Sequence, residues 1–232
     1  MKKILLLCLA ITAMVSCSDD DGASAKSTKS VLKRLQMSSV PGEGTSFDFN
    51  YDDKRRITTA IVTGGLNRTT NFTYDDDDRI VRASRSDGEI IDFVYDAQDQ
   101  LLSYTLNEDN SYLDFNPNTF ESTYRPLEYQ TNSAGDITHI NNGISTFDTS
   151  KKGSLANITG VKLQLILFLS DPAFEYAFSK SAMTSVSADN FGTPVFTITF
   201  TNSYDNDGML ISTVLRRGGT TDGAISYTYE KL

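Results

Sequence analysis

The sequence predicts an all-β domain: a curved antiparallel meander forming an open, barrel-like sheet wrapped around a short helical insertion. Three observations predict it. A Tyr-Asp segment recurs four times, each with an aliphatic residue six positions after the tyrosine. Around those segments apolar and polar residues alternate with a period of two, the pattern of strands with one buried face. Turn-forming clusters punctuate the chain at short intervals: TGGLN at 63–67, SDGE at 86–89, NEDN at 107–110 and NNG at 141–143.

The N-terminus carries an address. Lys2 and Lys3 precede an apolar block from Ile4 to Val15 that stops at small Ser16, before Cys17, which is the layout of a cleaved secretory signal. The block is too short to span a bilayer, which takes about 20 residues. Met14-Val15-Ser16-Cys17 resembles the lipobox of bacterial lipoproteins, in which the cysteine is acylated and becomes the new N-terminus. Residues 1–16 are therefore read as a lipoprotein signal peptide, and residues 17–30 as a lipidated flexible linker of small and polar side chains. Loss of Cys8 with the signal leaves no thiol for a disulfide, and several acyl chains make a stable membrane anchor. Ser18, Asp19, Asp20 and Asp21 resemble the acidic surface-export signal that Bacteroidetes lipoproteins carry after the acylated cysteine. The expected location is the outer membrane, facing outward.

Residues 31–232 then read as one β domain. Phe47, Phe49 and Tyr51 alternate with Asp48 and Asn50, leading into the first copy, FNYDDKRRIT from Phe49. FTYDDDDRIV from Phe72, FVYDAQDQLL from Phe93 and NSYDNDGMLI from Asn202 follow. If Tyr51 lies opposite Ile57 in an antiparallel pair, Asp52 faces Arg56 and three residues make the loop, a common hairpin length. The same offset joins Tyr74 to Ile80, Tyr95 to Leu101 and Tyr204 to Leu210. Asp52 with Arg56, and Asp75 with Arg79, would pair on the outer face, each contributing about 0.2–1 kcal/mol when exposed. Asp96 and Asp205 keep the turn-entry role without an arginine, since Asp at that position bonds the backbone two residues on.

One segment breaks the alternation. Residues 155–180 hold an apolar run from Val161 to Leu169, followed by Asp171-Pro172, a helix-start signal, with Phe174 and Phe178 at helical spacing. The odd positions of 161–169 are all aliphatic, so a strand fits the run as well. A helical insertion at about 158–180 is preferred, because a curved sheet with one buried face needs something to fill its concavity.

The repeats resemble the YD-repeat of Rhs and teneurin-type proteins, over roughly residues 45–140 and 195–232. Tyr51-Asp52 with Arg56-Ile57 and Tyr74-Asp75 with Arg79-Ile80 carry most of that resemblance, and Tyr204-Asp205 with Gly208 part of it. The chain looks closer still to small Bacteroidetes lipoproteins classed as a domain of unknown function with a porin-like fold, in which tyrosine-rich hairpins wrap a short helical insertion. That resemblance implies a fold and an address, with no catalytic residues to carry over.

Composition and motifs bound the function. Removal of residues 1–16 takes two lysines, leaving 19 basic residues against 30 acidic and a net charge of −11. That charge argues against nucleic acid or anionic headgroups as partners and favours neutral or cationic ones. His139 is the only histidine, and His-Glu-x-x-His, Cys-x-x-Cys, Gly-x-Ser-x-Gly and phosphate-loop patterns are absent. Asp205-Asn206-Asp207-Gly208 fails as an EF-hand loop, because Ser203 and Val214 fall where the first acid and the bidentate glutamate belong. No cofactor and no metal are expected. An outer-membrane pore would need strands of about 9–11 residues, and the strands read shorter. The remaining readings are a non-enzymatic binding or scaffold module, with the membrane and a glycan or another surface protein as partners, or a glycosidase using a carboxylate pair.

Overall fold

The computed structural model describes residues 29–39, 44–64, 67–99, 101–107, 110–116, 119–121, 129–140, 143–160, 162–170, 177–190 and 193–232. The signal segment and Cys17, Ser18, Asp19, Asp20 and Asp21 lie outside the described residues. The strands are β1 (Ser30–Ser39), β2 (Thr45–Tyr51), β3 (Ile57–Thr63), β4 (Arg68–Tyr74), β5 (Ile80–Arg85), β6 (Ile90–Tyr95), β7 (Leu101–Leu106) and β8 (Asn110–Asn116). They continue with β9 (Thr119–Glu121), β10 (Tyr129–Thr131), β11 (Ile137–Ile140), β12 (Gly143–Lys152), β13 (Ser181–Asn190), β14 (Thr193–Tyr204), β15 (Leu210–Arg217) and β16 (Thr220–Lys231). A helix, α1 (Leu163–Ser170), lies between β12 and β13.

All sixteen strands form one sheet, in the order β10 to β16 and then β1 to β9. The chain ends meet in the middle of it, where β16 pairs antiparallel with β1. Strands β9 and β10 are consecutive in sequence yet form the two opposite edges. Laid flat, fifteen spacings of about 4.8 Å would hold those edges about 70 Å apart. The chain between them, residues 122–128, reaches no more than about 30 Å. The sheet therefore curls through most of a turn without closing.

The repeat supplies the curvature. Each copy sets its tyrosine opposite its aliphatic partner: Tyr51 with Ile57, Tyr74 with Ile80, Tyr95 with Leu101 and Tyr204 with Leu210. Directly beyond each pair the register slips by one, so that Asn50 faces Thr59 and Thr73 faces Arg82. The slip is a β-bulge, which bends its strand and deepens the twist. It also breaks the strict alternation expected from sequence: the buried residue after Ile57 is Ala60, after Ile80 Ala83, and after Leu210 Thr213.

Two further units share this geometry. Thr131 faces Ile137 with the same slip, around a turn in which Asn132 stands for Asp. Tyr229 faces Leu32 across the junction of β16 and β1, and the slip falls between Leu32 and Arg34. That second unit is a repeat cut open at its turn, one half supplied by each end of the chain.

The concave face holds the core. Phe47, Phe49, Ile57, Phe72, Ile80, Ile91, Phe93 and Leu101 line one half, and Ile198, Phe200, Leu210, Leu215 and Ile225 the other. Leu155, Ile158, Leu163, Ile166, Leu167 and Phe178 of the insertion join the same cluster. The Phe178 ring stands edge-on to Phe47 at 5.3 Å and to Phe49 at 5.8 Å. Helix α1 is apolar nearly all round, the composition of a buried helix. Its buried Gln164 is accommodated because its Oε1 accepts the Ile137 N–H at 2.8 Å.

The insertion is helical over a shorter span than 158–180. The helix begins at Leu163, directly after Lys162 at φ 57° and shortly after Gly160 at φ 145°, which reverse the chain into it. Residues 161 and 171–176, including the Asp171-Pro172 signal and Phe174, lie outside the described residues.

Candidate functional site

Strand direction places the chemistry on one rim. Because neighbouring strands are antiparallel, the ends of β2, β4, β6, β10 and β14 lie together with the starts of β3, β5, β7, β11 and β15. All five Tyr-Asp-type turns therefore share that rim. The start of β1, the end of β16 and both ends of the insertion share it too.

Each turn is organised by the side chain after the tyrosine. Asp52 Oδ1 accepts the N–H of Lys54 at 3.0 Å and of Arg56 at 2.9 Å. Asp75 does the same for Asp77 and Arg79, at 3.0 and 2.9 Å, and Asp205 for Asp207 and Met209, at 2.9 and 2.8 Å. Asn132 accepts from Ala134 and Asp136, both at 3.0 Å. Asp96 accepts from Gln98 at 2.8 Å. The fourth turn position is left-handed in every copy: Arg55, Asp78, Asp99, Gly135 and Gly208 have φ between 59° and 88°. The EF-hand-like Asp205 segment is thus a backbone cap. Among the described residues no three His, Cys, Asp or Glu side chains cluster as metal ligands.

The arginines sit differently from the exposed pairs expected. Arg56 Nε reaches Asp52 Oδ2 at 2.7 Å, with the two side chains only 17% and 19% exposed. Its Nη1 continues to Asp78 of the next copy at 2.6 Å, and its guanidinium covers the Tyr74 ring at 4.5 Å. Arg79 repeats the pattern with Asp75 at 2.8 Å, Asp99 at 2.7 Å and the Tyr95 ring at 5.2 Å. These are links between copies, which an exposed pair within one turn would not provide. Burial works against Asp75's ionisation, but the Arg79 N–H and guanidinium outweigh it and hold the carboxyl below its ordinary value.

The tyrosines form a second set of links. Tyr74 O–H donates to the Ile57 carbonyl and Tyr95 O–H to the Ile80 carbonyl, both at 2.7 Å. Tyr51 donates to Leu32, and Tyr229 to Leu210 at 2.8 Å. Each tyrosine thus clasps the aliphatic residue of the unit before it. Burial pushes the hydroxyl pKa of Tyr51, Tyr74 and Tyr95 upward, so these groups stay neutral donors.

A cavity of about 500 Å³ opens on the same rim. Turn five (Thr131 to Gly135) makes one wall, the insertion from Leu155 to Gln164 the other, and Lys180 closes a side. The walls are fixed by Asp136, which is 1% exposed. Its carboxylate accepts the N–H of Lys180 at 2.6 Å and of Ser181 at 3.2 Å, and the Asn132 amide at 3.3 Å. The Thr159 N–H donates to the Arg55 carbonyl at 3.1 Å, stitching the insertion to turn one. Burial lowers the Lys162 ammonium pKa, and Asp96 facing it offsets part of that.

The outward face is polar. Arg34 and Asp48 form two bonds of 2.8 Å across strands, Arg82 and Asp92 pair likewise, and Ser46–Thr63 and Thr59–Asn71 are hydroxyl or amide bonds. Strands β1, β12, β13, β14 and β16 run 10 to 12 residues, so strand length, contrary to expectation, does not argue against a pore. The polar pairs on β1 to β6 do argue against it there, because a spanning barrel turns an apolar band to lipid, where each arginine costs about 2–4 kcal/mol at the midplane.

Sequence reasoning missed three features of this rim. Turn five carries Thr and Asn for Tyr and Asp, and its signal was the aliphatic six places on. The split unit carries Tyr229-Glu230 and Leu32 at opposite chain ends, where an offset search does not look. Asp136 is read as functional only once the fold brings Lys180 to it. His139 lies half-buried on β11, its Nδ1 3.2 Å from the Thr138 hydroxyl and outside the cavity lining.

The Teneurin YD-shell family model matches residues 28–150. No curated protein matches the chain. Among solved structures it is similar to a porin-like protein from Bacteroides uniformis, at 12% identity and a TM-score of 0.41, covering 86% of this chain and 98% of that one. A porin-like protein from Bacteroides vulgatus shows 10% identity and a TM-score of 0.44, covering 87% and 99%. The Tc holotoxin pore of Photorhabdus luminescens shows 11% identity and a TM-score of 0.27, covering 78% of this chain and 9% of that one.

Proposed function

We propose that this chain, which belongs to the Teneurin YD-shell family, acts as a rigid, non-enzymatic binding module held at the bacterial surface by a lipid on Cys17. The observation that carries the non-enzymatic part is the fate of the repeat carboxylates. Asp52, Asp75, Asp96 and Asp205 are each engaged by the backbone of their own turn. A glycosidase needs two carboxyl groups facing one substrate about 5–10 Å apart. Among the described residues no Asp or Glu lines the 500 Å³ cavity.

The surface attachment rests on the Met14 to Asp21 sequence. Replacing Cys17 with Ala should release the protein from membranes; persistence in salt-washed membranes would overturn the lipid anchor. Replacing Asp19, Asp20 and Asp21 with Ala should keep lipidation and protect the protein from protease added to whole cells. Equal digestion of variant and parent would reduce the aspartates to linker. A glycan array run beside a reducing-sugar assay tests the module itself: retention without turnover is expected, and turnover abolished by one carboxylate change would establish the enzyme instead.

A further inference from the structure

The rim cavity is lined by a buried amide whose hydrogens are unclaimed. Gln164 sits in the first turn of α1, is only 7% exposed, and lines the cavity. Its Oε1 accepts the Ile137 N–H at 2.8 Å, and because a backbone N–H can only donate, that bond fixes which end of the amide is which. Nε2 is left as a donor that meets no acceptor among the described residues. It is not among the side-chain atoms that are both sealed away and unpartnered, so it faces open space. Two spaces border Gln164: one of about 30 Å³, beside Ile137 and Ser145, and the rim cavity of about 500 Å³. The first has room for a water and nothing larger, while the second falls inside the roughly 300–1,000 Å³ of small-molecule sites.

The surroundings select a neutral ligand rich in oxygen. Charges near the cavity are matched: Asp96 opposes Lys162, which has a partner of its own, and the Asp136 carboxylate lies against Lys180, accepting its N–H at 2.6 Å. An ionic ligand therefore meets no surplus of opposite charge, and the net charge of −9 on the whole chain disfavours an anion further. The Thr131, Ser133 and Thr159 hydroxyls line the same cavity and form no side-chain hydrogen bond among the described residues. A hydroxyl both donates and accepts, so three of them beside an amide donor match a ligand whose own groups do both, as the hydroxyls of a sugar do. A peptide carbonyl would satisfy the amide and leave the hydroxyls without such partners.

We propose that the cavity between turn five and the insertion binds a neutral sugar, the Gln164 amide donating to one of its oxygens and the Thr131, Ser133 and Thr159 hydroxyls engaging others. The site is preorganised: the Asp136 carboxylate fixes turn five against the Lys180 backbone, the bond from Thr159 to Arg55 anchors the facing wall, and the bond from Ile137 holds Gln164 itself. This inference rests on the binding-module reading and names its ligand.

The test is titration calorimetry of the full chain with glucose, galactose and mannose, and with glucuronate and glucosamine as an anionic and a cationic form of one ring. At least one neutral sugar should bind, and neither charged form should bind about tenfold more tightly than the best of them. Gln164→Glu keeps the acceptor for Ile137 and removes the donor, so it should weaken binding at least about tenfold; it is interpreted only if its melting temperature is unchanged. Thr159→Val removes a hydroxyl, keeps the backbone bond to Arg55, and should weaken binding about threefold to tenfold. Ser133→Trp, on the exposed turn, should block the cavity outright. No binding of any neutral sugar, about tenfold tighter binding of glucuronate or glucosamine, or indifference to both Thr159→Val and Ser133→Trp would overturn the site, as would tighter binding of an acetylated dipeptide amide than of every sugar. Glycan retention that survives those variants would place binding elsewhere and leave the module reading standing, whereas sugar turnover by the parent chain would overturn the module reading.

Discussion

Replacing Asp75 separates two contributions that the sequence alone merges. Asp75→Ala removes the acceptor of two turn N–H groups, at 3.0 and 2.9 Å, and the 2.8 Å partner of Arg79. Arg79 would stay 19% exposed, with Asp99 and Asp77 as its remaining partners. Loss of a comparable helix cap costs about 0.5–2 kcal/mol, and an ion pair on the surface about 0–1 kcal/mol. The expected total for Ala is therefore about 2 kcal/mol, above the cost of an exposed pair alone. Asp75→Asn keeps Oδ1 for both N–H groups, as Asn132 does naturally in turn five, but turns Oδ2, the acceptor of the Arg79 Nε–H, into an NH2 donor; it loses the ion pair and not the cap, so it should cost about 0.5–1 kcal/mol. Urea denaturation followed by far-ultraviolet circular dichroism measures both. If Asn costs as much as Ala, the ion pair rather than the turn cap is the main contribution, and the reasoning fails.

The left-handed turn position offers a gain. Arg55 sits at φ 63°, where Gly208 and Gly135 stand in other copies, so Arg55→Gly should stabilise the domain by up to about 1 kcal/mol. A fall in its denaturation midpoint would contradict the turn geometry. Acid should destabilise the rim in a defined window. Asp75 and Asp78 are held below their ordinary values, Asp78 chiefly by its bond from Lys54, so their contribution is present above about pH 4 and is lost as pH falls further. Thermal melts at pH 7, 4 and 3 should show a drop below pH 4 that is smaller in Asp75→Asn; an equal drop in both would remove Asp75 from the account.

Much of the sheet was legible because the repeat encodes opposition directly. An aliphatic six residues after a tyrosine fixes Tyr51 against Ile57 and Tyr74 against Ile80. The bulge was less legible, since its only trace is that the next buried residue comes three positions on, at Ala60 and Ala83, where alternation looks for two. Links between copies were not legible at all: Asp78 comes 22 residues after Arg56, and the pairing of β3 with β4 sets the two turns side by side, within 2.6 Å. The helix was legible from its apolar run, but Lys162 at positive φ, which sets where it starts, belongs to no residue type that signals such a turn. The cavity joins turn five, the insertion and Lys180, whose proximity depends on the buried Asp136.

Tyr74 tests the central claim, that the tyrosine ladder is scaffold and not a ligand-binding surface. Its ring packs against the core beneath Arg56, and its hydroxyl clasps the preceding unit at Ile57. Equilibrium unfolding of Tyr74→Ala should show a loss of about 3 kcal/mol. A denaturation midpoint that stays unchanged while ligand retention disappears would make the tyrosine ladder the binding surface and contradict the account.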